Sequence, residues 1–213
     1  MQVVSNPVPF GGMMNYEQFK QKFRQALRLL VVACDRAGLS PLGVSIIGLA
    51  ITAVAGLVIA RGNFVGGALV FLVGSGFDML DGDLARMQGT VSERGAFLDS
   101  VFDRFGEAFL LAGLTWYFSG QFQDTSRLVL LLIIAVAVGS LTTSYVRARA
   151  EGLGQTCSVG FLQRTERVVL LTVGLLLHQW ILIPVLCFLA VATLGTALQR
   201  IIHVASKLPK APS

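Results

Sequence analysis

Charge is what this sequence most conspicuously lacks: Asp, Glu, Lys and Arg supply 14% of its 213 residues, where soluble domains carry about 25%. With 54% hydrophobic residues, that shortage excludes an ordinary water-exposed globule and points to one domain buried in a bilayer. Cysteine is scarce too. Cys34, Cys157 and Cys187 are odd in number and far apart, which excludes a disulfide framework and a cysteine metal pair; they are expected to be buried packing thiols. His178 and His203 are the only histidines and are given no role. No internal repeat or low-complexity tract is present. Residues 1–15 hold no apolar core long enough for a signal peptide.

What is abundant is apolar length and glycine, 23 residues of it, as expected where membrane helices pack closely. Six apolar stretches are expected at about 41–60, 64–86, 95–119, 127–149, 166–183 and 185–205, each near the length of about 20 residues that crosses a hydrocarbon core. The last two are separated only around His178 to Pro184. Before them, residues 1–14, with Pro7, Pro9 and Gly11-Gly12, are expected to form a flexible arm. Residues 15–38 are expected to form an amphipathic juxtamembrane helix, capped by Asn15 with Gln18. The fold expected is therefore an all-α integral membrane protein, with a six-helix domain over 39–206 and a tail over 207–213.

Net charge is +5, but its placement says more. With a cytoplasmic N-terminus, only Arg61 and Arg127 of the seventeen Lys and Arg residues fall on the external side. That bias supports an even number of spans with both termini in the cytoplasm. Trp116, Tyr117 and Trp180 are expected to anchor the external interface. So little water-facing surface suits anionic lipids or anionic substrates as partners, not nucleic acid.

Seven of the twelve acidic residues crowd into 78–107: Asp78, Asp81, Asp83, Glu93, Asp99, Asp103 and Glu107. Carboxylates near hydrocarbon are costly unless paired or bound to metal. Asp78 and Asp81 are three apart and Asp99 and Asp103 four apart, so each pair shares a helix face. A short turn near 88–94 makes the two helices antiparallel neighbours, and the four carboxylates can converge. Their repulsion is relieved by divalent cations, and all-oxygen ligation suits Mg²⁺ or Mn²⁺. Gly82, Ala85 and Gly95 are small enough to let a bulky ligand approach the backbone. Arg86 can meet phosphate charge. Asp83 and Glu93 are expected to be solvated surface groups; for Glu107, one turn past Asp103, a supporting role and none are equally open.

The run Asp78-Met-Leu-Asp81-Gly82-Asp-Leu-Ala85-Arg86, then Gly95, Asp99 and Asp103 at its spacing, resembles the signature of the CDP-alcohol phosphotransferase family at all eight fixed positions. The resemblance covers residues 15–205. It implies that Asp78, Asp81, Asp99 and Asp103 hold the metals, two ions in all. It also implies that the metals clamp the pyrophosphate of a CDP-linked lipid, and that Asp103 takes the proton of the attacking hydroxyl. Gly82, Ala85, Arg86 and Gly95 would line the nucleotide side, with Ser45 in register with a family hydroxyl. Leu42 stands where many members have a polar residue contacting the nucleotide. The family usually forms homodimers.

Ser144-Tyr-Val-Arg147-Ala-Arg149-Ala-Glu151, then Gly160-Phe161 and Arg164-Thr165-Glu166-Arg167, looks like the corresponding runs of the prokaryotic phosphatidylinositol-phosphate synthases. By that resemblance, Ser144, Arg147, Arg149, Arg167 and Arg200 would bind inositol 1-phosphate. Several arginines beside a metal site suit an acceptor that carries its own phosphate; the alternative for Arg147, Arg149 and Arg167 is a positive-inside anchor. Arg147 replaces a Lys and Thr165 a Pro, which leaves glycerol 3-phosphate open as acceptor. The lipid donor is either diacylglycerol-based or an archaeal ether lipid. Outside the family, intramembrane carboxylates also mark cation or proton transporters, but here they sit at one end.

Overall fold

The computed structural model describes residues 28–121 and 124–208, and no strand occurs among them. The helices are α1, described over 28–36, then α2 Pro41–Ala60, α3 Phe64–Gln88, α4 Glu93–Ser119, α5 Asp124–Glu151, α6 Arg164–Leu176 and α7 His178–Lys207. Local chemistry sets the boundaries. The Ser40 hydroxyl accepts from the Gly43 N–H at 3.1 Å, and Pro41 opens α2, where its missing N–H costs nothing. Asn63 caps α3 through the Gly66 N–H at 2.8 Å. Gly89, at φ 65°, closes that helix in the left-handed conformation, and Ser92 caps α4 through the Gly95 N–H at 3.2 Å.

The bundle packs α2 against α3 and α4, α5 against α7 and α4, and α6 against α7 and α3. Close approach depends on missing side chains: a Cβ at Gly113 of α4 would overlap the Gly56 carbonyl oxygen of α2. Backbone proximity of this kind replaces the hydrophobic drive that lipid surroundings remove. α1 rests on the end of α2 and α3, where Val31 is buried with Val44, Leu80 and Leu84. Gln88 donates from Nε2 to Asp35 Oδ1 at 2.9 Å. At the opposite end, Phe64, Tyr117, Phe118 and His178 meet ring to ring.

Among the described residues, four helices are long and apolar enough to cross a membrane: α2, α3, α5 from Ser126, and α7. Their outward faces carry Leu57, Leu69, Leu131, Ile134 and Val191, all exposed. So much exposed apolar surface belongs in lipid, and the protein is an integral membrane protein. α4 is 27 residues long, but its first half carries Asp99, Asp103, Arg104 and Glu107.

The expected fifth and sixth stretches need correction. Instead of 166–183, α6 ends at Leu176 after 13 residues, and Pro184 lies inside α7. The break is at Leu177, at φ −105° and ψ 31°. Its N–H still bonds the Val173 carbonyl at 3.0 Å, while its own carbonyl accepts from Trp180 at 2.9 Å to start α7. At about 1.5 Å per residue α6 spans about 20 Å. It is short because the chain before it runs into the bundle as a loop, packed on α7. There the Leu162 N–H reaches Thr196 Oγ1 at 3.3 Å, and the Val159 carbonyl accepts from Arg200 Nε at 2.7 Å. Irregular backbone is tolerated at such depth only when protein satisfies it.

The expected arm over 1–14 and most of the expected helix over 15–38, its Asn15 cap included, lie outside the described residues, as do residues 209–213 of the expected tail. Lys207 is the last residue of α7.

Candidate active site

α3 and α4 are not packed along each other as the short turn suggested; each packs on α2, and the end of α3 and the start of α4 still bring three carboxylates together. Asp78, Asp99 and Asp103 each present an oxygen within 4.8 Å of the others. Helical spacing accounts for part of this: Asp99 and Asp103 are one turn apart on α4, and Asp78 meets them from α3. Asp81 is buried and is engaged differently, accepting the Ser45 hydroxyl of α2. Ser45 is half-buried and also lines the cleft beside Asp78 and Asp103. Gly82 has open space above it, since an added Cβ would meet only the Arg86 guanidinium at 3.9 Å. Ala85 is half-buried, and Arg86 is exposed and paired with Asp83. Gly95 is exposed, within the first turn of α4.

Arg164, the first residue of α6, reaches into the carboxylates. Its Nη1 lies 3.4 Å from Asp78 Oδ2, and its Nη2 contacts Asp103 Oδ1. Arg104 Nη1 stands 3.9 Å from Asp103 Oδ2. The ion pairing is imperfect: Asp103 Oδ1 accepts no well-directed hydrogen bond, and Arg164 Nε is buried with none. Three converging hard-oxygen donors fit a divalent cation of the Mg²⁺ or Mn²⁺ kind.

On the other side of Arg164 opens a cavity of about 360 Å³ whose walls include Arg104, Ser144, Arg147, Arg164, Arg167 and Arg200, and no acidic residue. Two of these arginines are held rigidly. Arg167 gives Nε and Nη2 to Glu107 at 3.4 and 3.3 Å, and Glu107 also accepts from Ser140 Oγ at 2.7 Å. Arg200 donates Nε to the Val159 carbonyl and Nη1 to the Thr143 carbonyl at 2.7 and 2.9 Å. Arg147 is exposed and pairs with Glu151 at 2.9 Å. A pocket lined by this many guanidinium groups, with their partners behind them, suits a small polyanion.

Of the five residues expected around an acceptor phosphate, Ser144, Arg147, Arg167 and Arg200 line this cavity and Arg149 does not. Arg147 and Arg149 are two apart on α5, so the helix turns them to different sides. Sequence reasoning left Arg104 and Arg164 out of the set. Arg164 and Arg167 are three residues apart and Asp103 and Glu107 four, so each pair shares a helix face, but no local signal in the sequence sets one pair against the other.

The chain matches the family model described as CDP-alcohol phosphatidyltransferase over residues 39–201. It is 35% identical over 187 residues to a phosphatidylinositol phosphate synthase of Mycobacteroides abscessus, covering 85% of this chain and 84% of that protein. It is 34% identical over 198 residues to an archaetidylinositol phosphate synthase of Methanothermobacter thermautotrophicus, covering 90% and 97%. Crystal structures of the Mycobacterium tuberculosis phosphatidylinositol phosphate synthase are similar too. The one with CDP-DAG bound gives a TM-score of 0.81 at 28% identity, covering 88% of this chain and 100% of that one. The one in complex with manganese and citrate gives 0.80 at 30%, covering 88% and 92%. A bilayer-embedded helical bundle, a carboxylate cluster on the family's spacing and a match through most of its length lead to one conclusion: this chain belongs to the CDP-alcohol phosphatidyltransferase family.

Proposed function

We propose that this enzyme transfers the phosphatidyl (or archaetidyl) group of a CDP-linked lipid to the hydroxyl of inositol 1-phosphate and releases CMP, in phospholipid synthesis. The observation that carries the proposal is the shared wall: Arg164 lines the carboxylate cleft and the arginine-lined cavity alike. A phosphorylated acceptor held by the arginines would have a hydroxyl within reach of the carboxylates.

Asp78, Asp81, Asp99 and Asp103 would hold two Mg²⁺ or Mn²⁺ ions. When bound, these ions supply Lewis-acid polarisation of the donor's pyrophosphate and a template for it. Gly82, Ala85, Arg86 and Gly95 form the nucleotide side, and Ser45 holds Asp81 in place. Ser144, Arg147, Arg167 and Arg200 bind the acceptor phosphate, with Arg167 oriented by Glu107. The Asp103 carboxylate takes the proton of the acceptor hydroxyl. That oxygen bonds to the lipid-side phosphorus, the phosphorus–oxygen bond to CMP breaks, and CMP departs with the electron pair.

We further infer six crossings, with α4 and α6 completing the bundle, and an amphipathic interfacial helix before them. The carboxylates, the arginines and both chain ends face the cytoplasm, where nucleotides are. The excess of Lys and Arg at that end supports this orientation. A homodimer in the cell membrane is the expected assembly.

CMP release by purified protein from a CDP-linked lipid tests the proposal. It should require Mg²⁺ or Mn²⁺ and inositol 1-phosphate, and vanish in Asp103→Asn. Release with glycerol 3-phosphate alone would keep the family chemistry and overturn the acceptor. No release with any acceptor, but ion flux in liposomes, would favour a transporter.

A further inference from the structure

Arg164 differs from the other buried-side arginines in what it holds. Arg167 and Arg200 are each anchored by groups that are not candidate ligands: Glu107, and the carbonyls of Thr143 and Val159. Among the described residues, Arg164 has as partners only Asp78 and Asp103, two of the three converging carboxylates. Its side chain is 39% exposed, its Nε has no partner, and it lines both cavities. Its backbone is fixed, because Leu162 just before it is tied to Thr196 of α7 and the Glu166 side chain accepts from the Gln163 N–H at 2.7 Å. Only the side chain is free to choose between the carboxylates and the adjacent cavity, which becomes anionic when a phosphorylated acceptor occupies it.

We infer that Arg164 is a shared counter-cation that couples the two halves of the site. With Asp78 and Asp103 free of divalent cation, its guanidinium neutralises them. A divalent cation on the same oxygens displaces and repels it, and it turns into the adjacent cavity, where it adds a donor pair for the acceptor's phosphate. The inference rests on the metal and acceptor reading above. Coupling of this kind is reciprocal: the cation strengthens acceptor binding by the same factor as the acceptor strengthens cation binding. Arg164 is thus a positioning residue, linking acceptor capture to cation loading.

The test is Mn²⁺ binding by the full chain in detergent, read from the electron paramagnetic resonance of free Mn²⁺. It is run without acceptor, with inositol 1-phosphate and with glycerol 3-phosphate, and corrected for Mn²⁺ binding to each acceptor in buffer. For the wild type, inositol 1-phosphate should tighten Mn²⁺ binding on the order of fivefold. Without acceptor, Arg164→Gln should bind Mn²⁺ roughly fivefold tighter than wild type, and adding acceptor should change nothing. Arg164→Lys, which keeps charge but not the fork, should fall between; with the wild-type comparison it keeps the test decisive if Arg164→Gln does not fold. Mn²⁺ binding equal to or weaker than wild type in Arg164→Gln, or wild-type binding indifferent to both acceptors, would overturn the inference. Coupling to glycerol 3-phosphate alone would uphold Arg164 and overturn the acceptor proposed above. A wild type that binds no Mn²⁺ would overturn both.

Discussion

Glu107→Gln is the perturbation whose cost the structure defines best. Glu107 and Arg167 have side chains 9% and 5% exposed, and they meet through two contacts of 3.3 and 3.4 Å. The substitution preserves shape and the acceptor oxygen for Ser140, but strands the Arg167 charge in the bundle. Breaking a buried pair from one side costs about 3–5 kcal/mol; the long contacts place this one near the lower figure. At about 2–4 °C per kcal/mol for a chain of this size, the melting temperature in detergent should fall by roughly 6–12 °C. Removing both charges, in Glu107→Gln with Arg167→Met, should recover most of the loss, since replacing the whole pair with apolar groups is close to neutral. A double-mutant cycle then returns a coupling of about 2 kcal/mol or more. A Glu107→Gln protein that melts within about 1 °C of wild type, or a double variant as unstable as the sum of the singles, would refute the idea that Glu107 holds Arg167 in place.

Packing between α2 and α4 gives a second expectation. Gly113→Ala forces a methyl group onto the Gly56 carbonyl and should cost about 1–3 kcal/mol. Gly195→Ala, with nothing within 4 Å of the new carbon, should be neutral or stabilising by up to about 1 kcal/mol; thermal unfolding of both in one detergent checks the contrast. In steady-state assays, Arg147→Ala should raise the acceptor KM roughly tenfold, the worth of a charged hydrogen bond. Arg149→Ala, which does not line the cavity, should leave that KM unchanged.

What could be seen in the sequence was what helix periodicity makes local. Asp99 and Asp103 share a face because they are four residues apart, and the turn between α3 and α4 is short enough to bring Asp78 to them. The spans α2, α3 and α5 were visible as apolar length. The divide between α6 and α7 was expected only as a region from His178 to Pro184, whereas the chain breaks at Leu177 and accommodates the proline inside α7. The Arg164 contact to Asp78 joins residues 86 apart, and Arg167 meets Glu107 across 60. Such pairs are set by how helices stack, and no local rule announces them. Arg149 was expected beside Arg147 from the resemblance, and the two-residue step on α5 turns it away from the cavity that Arg147 lines.

The identity of the lipid product tests the central claim most directly. Purified protein would be given CDP-diacylglycerol, Mg²⁺ and an equal mixture of inositol 1-phosphate, glycerol 3-phosphate and free inositol, and the lipid made would be weighed by mass spectrometry. The predicted result is a phosphatidylinositol that retains the acceptor's own phosphate, formed in step with CMP. A glycerol-phosphate lipid, or phosphatidylinositol lacking that second phosphate, would contradict the assignment of the arginine-lined cavity to inositol 1-phosphate.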